Sequence, residues 1–492
     1  MVAESARAAQ TVEADGVDGV DGGDGAVASE VAGAHAEAYG ETERAALDHL
    51  WIHSANYIEL AEKQGLKVFE RGEGCLIYDV HGKEYIDGIS GLWVVNAGHG
   101  RAEIGEAMAA QAARLAYVSA ASYTSVPAVQ LSETVAELTP GDLGRVFFCS
   151  GGSEAVESAV KIAKQVQALR GFPRRYKIIA RRGSYHGATF GAMSLTGMVA
   201  TRGQSERYFG PFMYGVSHVP SPNRYRNDFG LDGEDGDLMC ARFVEQEIEF
   251  QGPETVAAVI GEPVSSSNGV HVPSPRYWQL LREICDRHGV LLIMDEVING
   301  FGRTGKWFAT EHFGVVPDIM TMAKGLSSGY APIAAAVVRP GVFDVFKEGE
   351  NALGHLLTFG GQAVAAAAAL KNIEIMRREG LVERAAEQGA YLLDSLKSLV
   401  AAHPTVGDAR GVGLLCAIEL VKDKETREKW GKDSPFAKRV GELINERGLL
   451  SRVWDIFHVA PPLVVSREEI DRIVAIMDDS LTIAEREFDV AA

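Results

Sequence analysis

The sequence predicts an α/β protein: a mostly parallel sheet covered by helices, with a smaller α+β domain attached. Three observations carry this. From about residue 100 to 345, apolar strand-like runs alternate with helical periodicity. The runs end in turn residues followed by polar groups, the place where ligands meet open α/β sheets. Two of these runs deliver a particular chemistry. Val290-Leu-Leu-Ile-Met294 ends in Asp295-Glu296, and Asp318-Ile-Met-Thr-Met-Ala323 ends at Lys324. A lysine can form a Schiff base with an aldehyde cofactor, and an acid can hold a pyridine nitrogen protonated so that the ring acts as an electron sink. Taken singly, each reads better as an ordinary strand-end residue; taken jointly, with the motifs below, they do not.

The 492 residues are enough for two or more domains. With 46% hydrophobic and 23% charged residues, the composition is that of a globular protein. A formal net charge of -19 argues against a nucleic-acid or anionic-membrane partner. No apolar stretch reaches the ~18 residues a membrane span needs. Five scattered cysteines without a CxxC pair fit a reducing, cytoplasmic setting and argue against a metal centre. The N-terminus shows neither a secretory nor a transit signature.

Residues 1–44 are Ala, Gly, Val and acid, with a repeat over Gly16–Gly25, and too few large apolar groups to offset ordering entropy. A disordered acidic tail is expected there. Residues 45–99 form an N-terminal segment of the small domain, in which Glu73–Gly88 reads as a hairpin turning at His81-Gly82. A helix is expected near Ala102–Leu115 within a large domain over 100–365.

Val146-Phe-Phe-Cys149 is a strand, and Ser150-Gly151-Gly152-Ser153 turns into a helix with apolar residues at 3.6-residue spacing. Such a glycine-opened helix start is either a phosphate site or a plain cap. Lys177–Ala180 is a strand followed by Tyr185-His186-Gly187, where the aromatic either stacks on a planar ligand or anchors the loop. Residues 220–238 read as a surface loop. Val256–Gly261 is a strand ending at Glu262, and a helix follows over about Pro275–His288. Residues 366–492 read as the C-terminal small domain, with a strand over Val412–Leu420, another at Phe457–Ala460 and a closing helix. Gly300-Phe-Gly-Arg-Thr-Gly305 matches GxGxxG, but no helix opens after it, which argues against nicotinamide binding.

Asp87–Gly100, Ser150–Ala155, Tyr185–Gly187, Glu262–Val264, Asp295–Gly305, Ala323–Leu326, Thr358–Gly361 and Arg410–Leu414 together resemble the class III, or omega, aminotransferases, pyridoxal-phosphate enzymes of fold type I. The resemblance runs over roughly residues 50–485. It implies pyridoxal 5'-phosphate on Lys324, which also carries the proton, and Asp295 on the ring nitrogen. It implies Tyr185 and Val297 on the two ring faces, Ser150, Gly151, Gly152 and Ser153 at the phosphate, and His186 and Glu262 in the cofactor shell. It further implies a homodimer, possibly paired into a tetramer, in which Thr358 completes the partner's phosphate site.

Ile298 and Ser267 stand where relatives acting on ornithine or 4-aminobutyrate carry Gln and Glu. With Gly91-Leu-Trp93 they are similar instead to the pyruvate-dependent group, including taurine and β-alanine enzymes. Trp93 and Tyr123 are then pocket-wall candidates, or ordinary packing. Arg452 is a candidate for the substrate carboxylate or sulfonate, or a surface ion pair; Arg410 reads as structural. The expected activity is ping-pong transfer of an amino group from a primary amine or omega-amino acid to pyruvate. Alternatives are an aminomutase or decarboxylase on the same fold, a broad diamine or arylalkylamine aminotransferase, and a catalytically silent relative.

Overall fold

The computed structural model describes residues 40–62, 66–198, 205–231, 233–431 and 434–490. The Asp-Gly repeat and most of the expected acidic tail lie outside them. The described residues divide into two compact units, those within 40–70 with 79–82 and those within 71–78 with 83–490.

In the first unit the helix Glu41–His49 takes in residues 41–44 of the stretch expected to lack structure. Glu41 and Glu43 stand in its first turn, where carboxylates favour the helix dipole. Glu43 is also buried and pairs with His81 at 2.5 Å.

The second unit is built on a seven-stranded sheet. Its strands are β1 (Arg145–Cys149), β2 (Lys177–Arg181), β3 (Val216–Val219), β4 (Val256–Gly261), β5 (Leu291–Asp295), β6 (Ile319–Met322) and β7 (Ala334–Val338), in spatial order β1-β7-β6-β5-β4-β2-β3. Only β7 runs antiparallel to its neighbours, so the sheet is mostly parallel, as expected. The four strands β4 to β7 are buried along their whole length. Their continuous apolar runs are what a sheet covered on both faces requires.

Helix Pro275–His288 has the expected ends for visible reasons. Ser274 caps its start by accepting from the Tyr277 amide, Pro275 fills the first turn, and Gly289 leaves in the left-handed conformation. The loop expected over 220–238 is shorter than that, because helix Gly233–Gln251 begins inside it. Glu234 and Asp235 favour its start, and the buried Asp237 carboxylate accepts from Arg224 and from the Ser274 amide.

Beyond the sheet, helices Ala363–Arg378 and Leu381–Ala402 lead into antiparallel strands Val406–Val412 and Leu415–Asp423, the second of which also pairs with Ile456–Val459. Helix Arg467–Glu487 closes the chain behind a Ser466 capping box. The hairpin strands Leu76–Asp79 and Glu84–Asp87 pair through Leu76 and Ile86, and Ile86 pairs in parallel with Leu449. The GxGxxG segment is a packing knot. Arg303 is fully buried and donates to Leu414 O, Pro461 O, Ser90 Oγ and Asn96 Oδ1, and no helix opens on the glycines. Among the described residues no helix is long and apolar enough to cross a membrane.

Candidate active site

The carboxyl ends of β1, β2, β4, β5 and β6 release Ser150, Tyr185 with His186, Glu262, Asp295 and Lys324 on one side of the sheet. Parallel pairing sets Asp295 of β5 beside Thr321 of β6. Asp295 is 3% exposed. Its Oδ1 accepts from Thr321 Oγ1 at 3.0 Å and from the Val297 amide at 3.1 Å, and its Oδ2 lies 2.7 Å from His186 Nδ1. With the carboxylate ionised, His186 Nδ1 carries the proton and Nε2 is left buried without a partner. Thr321 had no signal of its own in the sequence, since its role comes from the strand pairing.

Lys324 follows β6 in a short 3-10 turn with φ +48°, a left-handed conformation that costs free energy in a non-glycine residue. Asn372 Nδ2 holds the turn by donating to Gly325 O and Leu326 O. A Cβ on Gly325 would come within 2.3 Å of Asn96 Nδ2, so glycine is required there. Burial pulls the Lys324 amine down to about 8; Asp295 opposes this, and Arg452 and Arg303 add to it. A lysine so placed is partly neutral near physiological pH, as a proton carrier must be.

At the end of β1, Gly151 caps helix Gly152–Leu169. The first amides of a helix have no carbonyl a turn behind them and are free for an anion. A Cβ on Gly151 would meet nothing within 4 Å, so the loop is open there. One on Gly152 would meet Val297 Cγ1 at 2.8 Å, which places Val297 directly against the loop. Ser153 Oγ accepts from the Ala188 amide at 3.1 Å, tying the loop to the Tyr185-His186-Gly187 turn. The Ser150 amide donates to Glu154. Tyr185 keeps 38% of its surface exposed, and burial of its remainder raises its hydroxyl pKa.

Glu262 is buried, its Oε1 3.4 Å from the Ser266 amide and its Oε2 without a hydrogen-bond partner. Burial pushes it to about 7, against the pull of His186 and Arg181. Arg181 donates to the Glu262 carbonyl at 2.5 Å and stands 3.8 Å from Oε2.

Trp93, also at positive φ and 2% exposed, connects the lysine to Arg452. Lys324 Nζ lies 5.4 Å and the Arg452 guanidinium 5.7 Å from its ring centroid. The alternative of a surface ion pair for Arg452 fails among the described residues, where no carboxylate pairs with it. Arg410 is structural as expected, bonded to Asp408, Glu419 and the Gly269 carbonyl.

The structure does not bring Tyr123 or Thr358 to these groups. Tyr123 is 70% exposed before helix Val126–Leu138, and Thr358 is exposed in a turn beside Phe359.

The residues fit a flat, ring-bearing phosphate. The site offers a buried carboxylate and a glycine-opened helix start with Val297 against it. Tyr185 keeps part of its surface exposed, and a buried imidazole Nε2 and carboxyl Oε2 are still unpartnered. Asp295 can hold a ring-nitrogen proton, Lys324 can bond an aldehyde carbon and carry a proton, and Arg452 can meet an anion.

The family model described as aminotransferase class-III matches residues 57–481. A taurine–pyruvate aminotransferase of Bilophila wadsworthia is 39% identical, covering 92% of this chain and 99% of its own. A putrescine–pyruvate aminotransferase of Pseudomonas aeruginosa is 37% identical over 87% of this chain and 93% of its own. Among solved structures, an (S)-enantioselective omega-transaminase from Thermomicrobium roseum superposes with a TM-score of 0.86 at 39% identity, covering 91% of this chain and 99% of that one.

Proposed function

The chain belongs to the class-III aminotransferases and is a pyridoxal 5'-phosphate enzyme, and from that premise we propose that it moves the amino group of a small anionic amine, such as taurine or β-alanine, to pyruvate. When bound, the cofactor supplies an aldehyde for the amine and a ring that withdraws electrons from the neighbouring carbon. Lys324 Nζ would take the proton from the amine-bearing carbon of the donor and deliver it to the cofactor carbon that carried the aldehyde. Asp295, fixed by His186 and Thr321, keeps the ring nitrogen protonated. Tyr185 and Val297 border the ring, and the Ser150–Ser153 loop takes the phosphate. His186 and Glu262 complete the shell.

The observation that carries the donor class is Arg452. Its guanidinium reaches the ring that Lys324 also touches, and no carboxylate of the described residues pairs with it. An unneutralised cation beside the reacting lysine favours a donor with a carboxylate or sulfonate, and the carboxylate of pyruvate in the second half-reaction. A diamine donor such as that of the Pseudomonas relative would place a second cation there, which is unfavourable.

We further propose a homodimer, in which Thr358 and Tyr123 serve the partner's site. Leu356, Phe359, Tyr117 and Val126 are large apolar residues left exposed around them, which supports a covered face here. A cytoplasmic location is supported by five buried free cysteines.

The test is alanine formation from pyruvate with taurine or β-alanine as donor. Alanine appearing only with donor and pyruvate together is expected. An aminomutase or decarboxylase would consume the donor without any keto acid.

A further inference from the structure

Four arginines lie around the site, and three are already committed: Arg181 donates to the Glu262 carbonyl and stands 3.8 Å from its Oε2. Arg303 spends its guanidinium on four oxygens, and Arg410 on two carboxylates and a carbonyl. Arg452 is held differently. Its guanidinium carbon lies 4.7 Å from the Trp454 ring centroid and 5.7 Å from that of Trp93. His458 braces both indoles: its ring centroid is 5.2 Å from that of Trp93, nearly perpendicular at 80°, and 5.0 Å from that of Trp454 at 58°. His458 itself is fixed. It is fully buried, its amide donates to the Arg452 carbonyl at 3.2 Å, its carbonyl accepts from Ser451 Oγ, and its Nε2 lies 3.3 Å from the Ser266 carbonyl. Burial drives its imidazole down to about 3, so it stands beside the guanidinium uncharged.

We infer that Trp454 is a specificity-determining residue: with Trp93, and braced by His458, it berths Arg452 on aromatic faces so that the guanidinium meets the substrate's carboxylate or sulfonate without first giving up a carboxylate partner. This rests on the reading that Arg452 receives the substrate anion. A cation on an aromatic face keeps its full charge for an incoming anion, whereas an ion-paired arginine must break one charged contact to make another. The berth supplies orientation; the bidentate donors stay unused until an anion arrives.

The experiment uses the holoenzyme with three substitutions, Trp454→Leu, Trp454→Phe and Arg452→Gln. One readout is the Kd of propanesulfonate, an unreactive sulfonate without an amine, by calorimetry. The other is the ratio of kcat/KM for β-alanine to that for an uncharged arylalkylamine. Trp454→Leu should weaken propanesulfonate and lower the ratio by about fivefold, as a lost cation–π contact of ~1 kcal/mol implies. Trp454→Phe, which keeps a ring, should recover most of both. If Trp454→Leu leaves both unchanged while Arg452→Gln weakens the anion, the berth is wrong and the anion role of Arg452 stands. If Arg452→Gln also changes neither, the anion role itself is wrong. If Trp454→Phe is as damaged as Trp454→Leu, the ring face is not the cause and the berth is wrong.

Discussion

Lys324 and Arg452 share one indole, their cationic groups 5.4 and 5.7 Å from the Trp93 ring centroid. Two like charges on one side chain cannot be independent. The guanidinium disfavours protonation of the lysine and, together with burial and against Asp295, holds it at about 8. Arg452→Gln removes that repulsion, so the Lys324 pKa should rise. In the apoenzyme, the pH at which Lys324 reaches half its maximal rate of cofactor capture should move upward from about 8. An unchanged or lower midpoint would show that the two groups are not coupled.

His186 is the buried donor to Asp295 Oδ2 at 2.7 Å. His186→Phe leaves a buried carboxylate oxygen unpaired, which costs roughly 1–3 kcal/mol or more for a charged group. Because His186 then no longer orients Asp295 toward the ring nitrogen, cofactor Kd should rise by about five- to a hundredfold. Equilibrium dialysis with pyridoxal phosphate measures it, and an unaltered Kd would remove His186 from the cofactor shell.

Two glycine substitutions separate packing from phosphate binding. Gly151 has open space where a Cβ would go, so Gly151→Ala should leave the thermal midpoint of the apoenzyme nearly unchanged and still weaken the cofactor. Gly187 has φ +134°, and a Cβ there would stand 2.3 Å from Ser153 Oγ. Gly187→Ala should therefore lower the apoenzyme midpoint as well. Gly151→Ala binding cofactor as tightly as the unmodified protein would contradict the phosphate assignment.

Much of this site was legible in the sequence because it is built from strand ends. Asp295 and Lys324 each close a mostly apolar strand-like run, and a parallel sheet delivers such ends to one side. The start and stop of helix Pro275–His288 were readable from Ser274, Pro275 and Gly289, which act locally. What acts across the chain was not readable. Trp93 and Arg452 meet across hundreds of residues, and their contact depends on the positive φ of Trp93 and on His458 behind it. The strand Val406–Val412 was missed because Gly407, Arg410 and Gly411 break its apolar pattern, although its pairing with the buried strand Leu415–Asp423 holds it. The helix from Gly233 was hidden by the glycines and acids that open it.

Away from the site, His403 bridges Glu485 at 2.9 Å and Asp478 at 2.7 Å, pinning helix Arg467–Glu487. Burial alone would lower its pKa, but the bonds to the two carboxylates overcome this and raise it above 6.5. A raised folded-state value means the stabilisation is complete below the unfolded value and is lost as pH rises through the folded one. Urea midpoints should fall between pH 6 and pH 9 by more in the unmodified protein than in His403→Gln. Equal pH dependence in both would exclude this bridge as a source of it.

Lys324→Ala should retain the fold and still bind pyridoxal phosphate through Asp295 and the phosphate loop, while turnover falls by at least about 10⁴-fold, since the covalent and proton-carrying roles vanish together. Asp295→Asn should also be severely impaired. Steady-state alanine formation checks both, and near-normal turnover in Lys324→Ala would remove the lysine from the chemistry.

The most direct measurement is the visible spectrum of the yellow holoenzyme mixed in turn with taurine, β-alanine, putrescine, 4-aminobutyrate and a chiral arylalkylamine. Loss of the yellow band with taurine or β-alanine, and its return on adding pyruvate, is the predicted result. A band that none of these amines bleaches, or that pyruvate cannot restore, would contradict amino transfer from a small anionic amine to pyruvate.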